Sequence, residues 1–248
     1  MATVLMALPD RDFDPTEVAV PWQRLRDDGH DVVFATETGK VVPEADPRLL
    51  KGVILRQLGA APEPVSFYEE LTKDRSFRRP LAWSRIEPDQ YDGWLLPGGH
   101  APGMRQYLGS PVLQEKSAAF FALGRPVGAI CHGVVVLARS IDPATKRSVI
   151  ANYQTTALTK AMERTAYYLT AWRLGRYYRT YPTYVEDEVR SALDSRSQFH
   201  RGPRRLTPDS AQNDHAGFLV EDAQYLSARW PGDAYSFARR FSEKLSES

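Results

Sequence analysis

A chain of 248 residues is longer than one average domain and shorter than two. Its 42% apolar and 25% charged residues exclude a disordered chain, and 18 Pro and 16 Gly without a repeating period exclude a fibrous one. The 32 basic and 31 acidic residues leave a net charge of +1, so no global field points to nucleic acid or to an anionic membrane. The single cysteine allows no intrachain disulfide and no cysteine-rich zinc site. No apolar run reaches the roughly 20 residues of a membrane span. Met1 to Leu8 lacks a basic leading segment and reads as a buried strand rather than a signal peptide, which makes the cytoplasm the expected location.

Val4 to Leu8 is a continuous apolar run, the pattern of a parallel strand covered on both faces. Asp14-Pro15-Thr16-Glu17 predicts a helix start, with Asp at the N-cap and Pro at the first helical position. That helix runs towards Asp28, with Pro21 expected to kink it and Gly29 to stop it. Asp31 to Ala35 reads as a second strand. Six prolines break residues 36–90 into loops, with short helices around Phe67 to Leu71. Trp94-Leu95-Leu96 predicts a strand that runs into Pro97-Gly98-Gly99-His100. A helical pattern covers 111–123, and Pro126 to Ile130 is a strand. Val134 to Ala138 reads as a helix and Val149-Ile150-Ala151 as another strand. Residues 155–195 form a helical block rich in Tyr, Trp and Arg. A polar surface loop follows at 196–213, with Arg201, Arg204 and Arg205. Phe218 to Val220 and Tyr225 to Ala228 form a hairpin, and an amphipathic helix from Pro231 to Leu245 ends the pattern. Strands alternating with helices predict a parallel sheet with helices on both faces.

In such sheets ligands bind beyond the C-terminal strand ends, near the point where strand order reverses. Cys131 lies where a buried strand turns into a helix, the arrangement of a nucleophile elbow. A strained turn and a helix N-terminus both favour the thiolate, which predicts a thiol pKa below the ordinary value of about 8.5. A lone cysteine there also suits a small buried hydrophobe. Glu17 equally suits a solvated helix-start acid, and His132 a turn histidine without a role. His30, His200 and His215 show no metal-ligand spacing, so no metal is assigned.

Ala129-Ile130-Cys131-His132-Gly133 resembles the nucleophile motif of the ThiJ/PfpI superfamily, relatives of the class I glutamine amidotransferases. Three further segments fit in the same order. Glu17 to Pro21 resembles the first-helix segment that carries the family's glutamate. Tyr91 to His100 resembles its strand ending in a glycine pair. Phe218 to Asp222, continued through Pro231 to Ala234, resembles its terminal hairpin and helix. Ala45-Asp46-Pro47, Phe67 to Pro80 and Tyr184 to Val189 place the resemblance nearest the branch of glyoxalase III enzymes and heat-inducible chaperones.

The resemblance implies a flavodoxin-like three-layer α/β/α sandwich with a mostly parallel sheet. It implies one domain, 1–248, with an elbow after a central strand and a helical insertion at about 155–195. Cys131 would be the nucleophile and Glu17 a largely protonated donor and proton shuttle. His132 would be a general base whose backbone N–H helps form an oxyanion hole. Gly98 and Gly99 would supply the other N–H groups, and His100 would line the pocket. The family's triad acid is missing from His100 to Met104 and from Ala151 to Thr155, with Glu163 a conceivable substitute. The implied activity needs no cofactor and turns a 2-oxoaldehyde into a 2-hydroxy acid. The alternatives are a hydratase or hydrolase such as isocyanide hydratase, or a non-enzymatic chaperone or cysteine oxidation sensor. The partners expected are a small electrophile and a second copy of the chain, with no nucleic acid and no membrane. Part of the aromatic block Tyr167 to Tyr181 is expected near Cys131 or at the two-fold axis.

Overall fold

The first apolar run becomes the middle of a sheet. The structure is a computed structural model that describes residues 1–53, 59–179, 181–204 and 207–247. Arg205 of the basic loop lies outside the described residues. The strands are β1 (Thr3–Ala7), β2 (Arg11–Phe13), β3 (Asp31–Thr36), β4 (Glu44–Ala45), β5 (Leu81–Ala82), β6 (Gly93–Leu96), β7 (Val127–Ile130), β8 (Leu219–Asp222) and β9 (Tyr225–Ala228). The helices are α1 (Pro15–Asp27), α2 (Pro47–Lys51), α3 (Pro62–Leu71), α4 (Arg75–Arg78), α5 (Met104–Leu108), α6 (Pro111–Phe121), α7 (Gly133–Arg139), α8 (Lys160–Leu174), α9 (Val185–Ala192) and α10 (Ala234–Glu247).

Seven strands form one sheet in the order β5-β3-β1-β6-β7-β9-β8, parallel throughout except for the antiparallel β8–β9 hairpin. β2 and β4 make a separate short pair. Val4 to Ala7 are fully buried because parallel neighbours flank β1 on both sides and helices cover both faces. α1 packs with α3 and α10 in one layer, and α7 with α5, α6 and α9 in the other. This is the flavodoxin-like three-layer α/β/α arrangement. Chain order runs outward from β1 to β3 and β5, then from β6 to β7 and β9. The reversal between β1 and β6 opens a crevice at their C-terminal ends.

Asp14 caps α1 as its sequence predicts: Oδ1 accepts the N–H groups of Thr16 at 2.8 Å and Glu17 at 3.3 Å. The helix continues through Pro21 to Asp27. Val149-Ile150-Ala151 is not a strand. Val149 N–H donates to Ser140 O and Ala151 N–H to Ser148 O, which folds the segment into turns. β9 already occupies the edge of β7, so apolar residues there find no ladder to join. The block at 155–195 is two helices, α8 and α9, joined by turns. Tyr168 and Trp172 stand 62% and 74% exposed, whereas Tyr178 is buried. Arg201 of the polar loop donates to Glu186 at 2.7 Å, so it is tied to α9. No helix among the described residues is long and apolar enough to cross a membrane.

Candidate active site

Cys131 follows β7 directly and has a φ of 58°, a left-handed conformation that costs a residue with a side chain on the order of 1–3 kcal/mol. Its N–H donates to Ala228 O at 3.0 Å, which pins the turn to β9. Gly133 then starts α7. A Cβ at Gly133 would stand 1.9 Å from the Leu96 carbonyl oxygen, so only glycine lets the elbow press against the end of β6. A Cβ at Gly98 would stand 2.6 Å from His132 N and 2.9 Å from Glu17 Oε2, and glycine is required there for the same reason.

These close approaches bring three strand ends together. Glu17 comes from the first turn of α1, after β1, and reaches across to the residues after β6. Its Oε2 accepts the Gly98 N–H at 2.7 Å, and its carboxyl group lies close enough to Cys131 for each to shift the other's protonation. The Gly98 N–H therefore positions the glutamate instead of serving an oxyanion. Among the described residues the Gly99 N–H donates no hydrogen bond. The His132 backbone N–H faces the sulfur. Among the described residues neither the Gly99 nor the His132 N–H donates to a backbone carbonyl.

The His132 ring lies with Nδ1 3.5 Å from Cys131 Sγ. His100 packs edge-on against it, with ring centroids 4.7 Å apart, and Tyr178 of the helical insertion packs edge-on against His100 at 6.2 Å. Among the described residues no carboxylate is hydrogen-bonded to the His132 ring. Glu163 is engaged elsewhere: its Oε1 takes Arg179 Nη1 at 2.8 Å and its Oε2 takes the Val185 N–H at 2.9 Å. It holds the insertion together and does not stand in for the triad acid.

Burial governs the protonation states. It pushes Glu17 well above the ordinary carboxyl range, and the nearby Asp14 carboxylate adds to the effect. Burial also pushes the Cys131 thiol up, helped by the charges of Glu17 and Asp14 and opposed by the His132 N–H. The sequence-based expectation of a depressed thiol pKa does not hold at this fully buried position. The loss of solvent outweighs the end of a seven-residue helix. Each negative charge of the pair disfavours the other, so Glu17 and Cys131 together carry at most one. Burial keeps both histidines neutral, His100 at about 4 and His132 well below its usual value, so each ring presents an acceptor nitrogen.

Several neighbours were not apparent from sequence. The ligand-type atoms of His100, Cys131 and His132 all lie within 4.8 Å of one another, a soft donor set that the spacing of His30, His200 and His215 did not reveal. Tyr107 is buried near enough to Glu17 for the two charges to interact. Asp46 accepts the Tyr178 hydroxyl at 2.8 Å and so ties the insertion over the site.

A family model described as ThiJ/PfpI family-like matches residues 8–203. The chain is 32% identical over 236 residues to an uncharacterized protein of Schizosaccharomyces pombe, covering 92% of this chain and 78% of that one. It is 24% identical over 233 residues to a deglycase of Pyrococcus abyssi, covering 94% and 93%. Its fold superposes on the crystal structure of glyoxalase III from Candida albicans with a TM-score of 0.67 at 19% identity, over 98% of this chain and 97% of that one. The elbow, the glutamate and the glycine pair thus sit on a scaffold shared with these proteins, and the chain belongs to the ThiJ/PfpI family.

Proposed function

We propose that the protein is a cofactor-independent cysteine enzyme that converts a 2-oxoaldehyde to a 2-hydroxy acid, as a glyoxalase III does. One observation carries this reading: a strained, fully buried Cys131 whose sulfur lies 3.5 Å from His132 Nδ1 and beside the Glu17 carboxyl. Sulfur adds to the aldehyde carbon, and its proton passes through Glu17 or His132 to the carbonyl oxygen, giving a hemithioacetal. The base then removes the hydrogen on that carbon and returns a proton to the neighbouring carbon. The product is the thioester of a 2-hydroxy acid. Water hydrolyses it, releasing the acid and restoring the thiol. The N–H groups of Gly99 and His132 would hold the oxyanion in the addition and hydrolysis steps. Deglycases among the sequence relatives support an enzymatic reading.

The test is turnover of methylglyoxal by purified protein, followed as loss of the dicarbonyl and appearance of lactate. Cys131→Ser and Glu17→Gln should each fold normally and lose about a thousandfold in kcat/KM, on the order of 4 kcal/mol of barrier. Retention of activity within about tenfold by either variant would remove that residue from the chemistry.

A further inference from the structure

A cavity of about 460 Å³ opens beside the site, with His100 and Tyr178 among its lining residues. His100 is also the ring packed on His132, and a nitrogen of it lies within 4.8 Å of the Cys131 sulfur, so one wall of the cavity adjoins the nucleophile. The volume lies within the range of roughly 300–1,000 Å³ typical of small-ligand sites, and far exceeds the needs of a methyl group.

Most polar groups of its wall already have protein partners; the Trp230 indole N–H, buried and without one among the described residues, is an exception. Asp14 caps α1, and Asp209 accepts the N–H groups of Tyr235 at 3.3 Å and Ser236 at 2.7 Å, so both helix starts that face the cavity are answered. The Tyr178 hydroxyl donates to Asp46, the Tyr235 hydroxyl to Glu63, and the Thr170 hydroxyl to Ala166 O. What remains for a guest is mainly apolar and aromatic surface, Leu49, Val53, Pro64, Leu169 and the Trp230 ring, with the indole N–H of Trp230 as a donor that a carbonyl oxygen could accept from. The Trp230 indole lies flat on Gly232, where a Cβ would be 2.4 Å from Cζ2, so the ring is a fixed wall. Fixed aromatic walls favour an aromatic guest.

We infer that this cavity binds an uncharged, phenyl-sized substituent of the carbonyl substrate, so that aryl 2-oxoaldehydes are preferred to methylglyoxal. The inference rests on the reaction proposed above for the identity of the reacting group, but the cavity can be tested without that reaction. Acetophenone, which carries the ring and a ketone but no aldehyde, is titrated calorimetrically into Cys131→Ser. Saturable binding is expected, weakened at least about tenfold when Ala166→Trp fills the cavity or Leu169→Asp charges its wall. Ala166 is half-buried and Leu169 exposed, and unfolding midpoints confirm that both variants are folded. With Cys131 present, kcat/KM for phenylglyoxal should exceed that for methylglyoxal by about tenfold or more, and the ratio should fall in Ala166→Trp.

Absent binding, binding unchanged in both variants, tighter binding of the anion phenylglyoxylate, or a preference for methylglyoxal would each overturn the inference. Binding of acetophenone without turnover of either aldehyde would uphold the cavity and overturn the reaction.

Discussion

The elbow and the helical insertion at 155–195 meet at His100, and they are built in opposite ways. At the elbow every group that matters is buried and held by backbone. Cys131 N–H is on Ala228 O, Gly98 N–H on Glu17, and Asp14 N–H on Gly98 O. In the insertion, α8 buries only Glu163 and Thr170. Tyr178 belongs to a small apolar cluster, with Val53 and Ala101, that is separate from the main core. Side-chain pairs hold it down: Tyr178 to Asp46 and Arg139 to Glu188 at 2.6 Å, while Arg179 to Glu163 braces it from within. The candidate site thus rests on rigid sheet ends, while the segment over it is fastened by contacts each worth about 1 kcal/mol or a little more.

Two glycines test that contrast directly. At Gly133 an added methyl group meets the β6 backbone at 1.9 Å, and nothing flexible can yield. Gly133→Ala should cost more than about 4 kcal/mol or prevent folding. Gly175, at the end of α8 with φ of 57°, has nothing within 4 Å of the place an added methyl group would take. Gly175→Ala should cost only the local backbone strain, about 1–3 kcal/mol. Urea unfolding of both variants decides it. A milder effect at Gly133 would mean that the elbow is not the rigid half.

A pH series sharpens the comparison next. Burial raises Asp14 to about 7 and Asp209 to about 6, from 3.8 in the unfolded chain. Between about pH 4 and pH 7 the folded protein therefore holds protons that the unfolded chain has lost. Stability falls as pH rises through that window and levels off above it. Asn is as good an N-cap as Asp and carries no charge, so Asp14→Asn should remove the part of that fall that Asp14 contributes and leave that of Asp209. The expected gain over wild type is on the order of 2–4 kcal/mol at pH 8 and close to zero at pH 4. Denaturation midpoints across the range measure it. A variant equally displaced at both pH values would show that Asp14 is charged in the folded state throughout.

The elbow was legible in the sequence because its residues stand in three short runs at element ends: Asp14 to Glu17, Pro97 to His100, and Ala129 to Gly133. Caps, glycines and strand ends leave local signatures. The contacts that cover the site leave none, since Asp46 and Tyr178 are 132 residues apart. Strand β5 has two residues, too few to show a period. Val149 to Ala151 shows the opposite limit. Its side chains suit a strand, but a ladder also needs a free edge, and that depends on where β9 lands. The protonation of Cys131 was misjudged for a related reason. Strain and helix end are local and visible, whereas the desolvation that outweighs them is a property of the whole fold.

The mildest change probes the seam between the two regions. Cys131 is fully buried, so an alkylating reagent reaches it only when the structure opens locally. If the opening lifts the insertion, its equilibrium depends on the Tyr178 hydroxyl bond to Asp46. Tyr178→Phe keeps the ring against His100 and deletes that bond, while Asp46 keeps the Arg48 N–H at 2.9 Å. The cation–π contact of Arg48 on Tyr177, 3.9 Å from the ring centre, is also untouched. Loss of one buried hydrogen bond should shift the opening by about 1–1.4 kcal/mol. Iodoacetamide should then label Cys131 about five- to tenfold faster, with global stability lowered by no more than the same amount. Tyr168→Phe, at a ring 62% exposed on α8, serves as the control and should leave the rate unchanged. Equal rates for Tyr178→Phe and wild type would mean that reagent reaches the sulfur by another route, and that the insertion is not its cover.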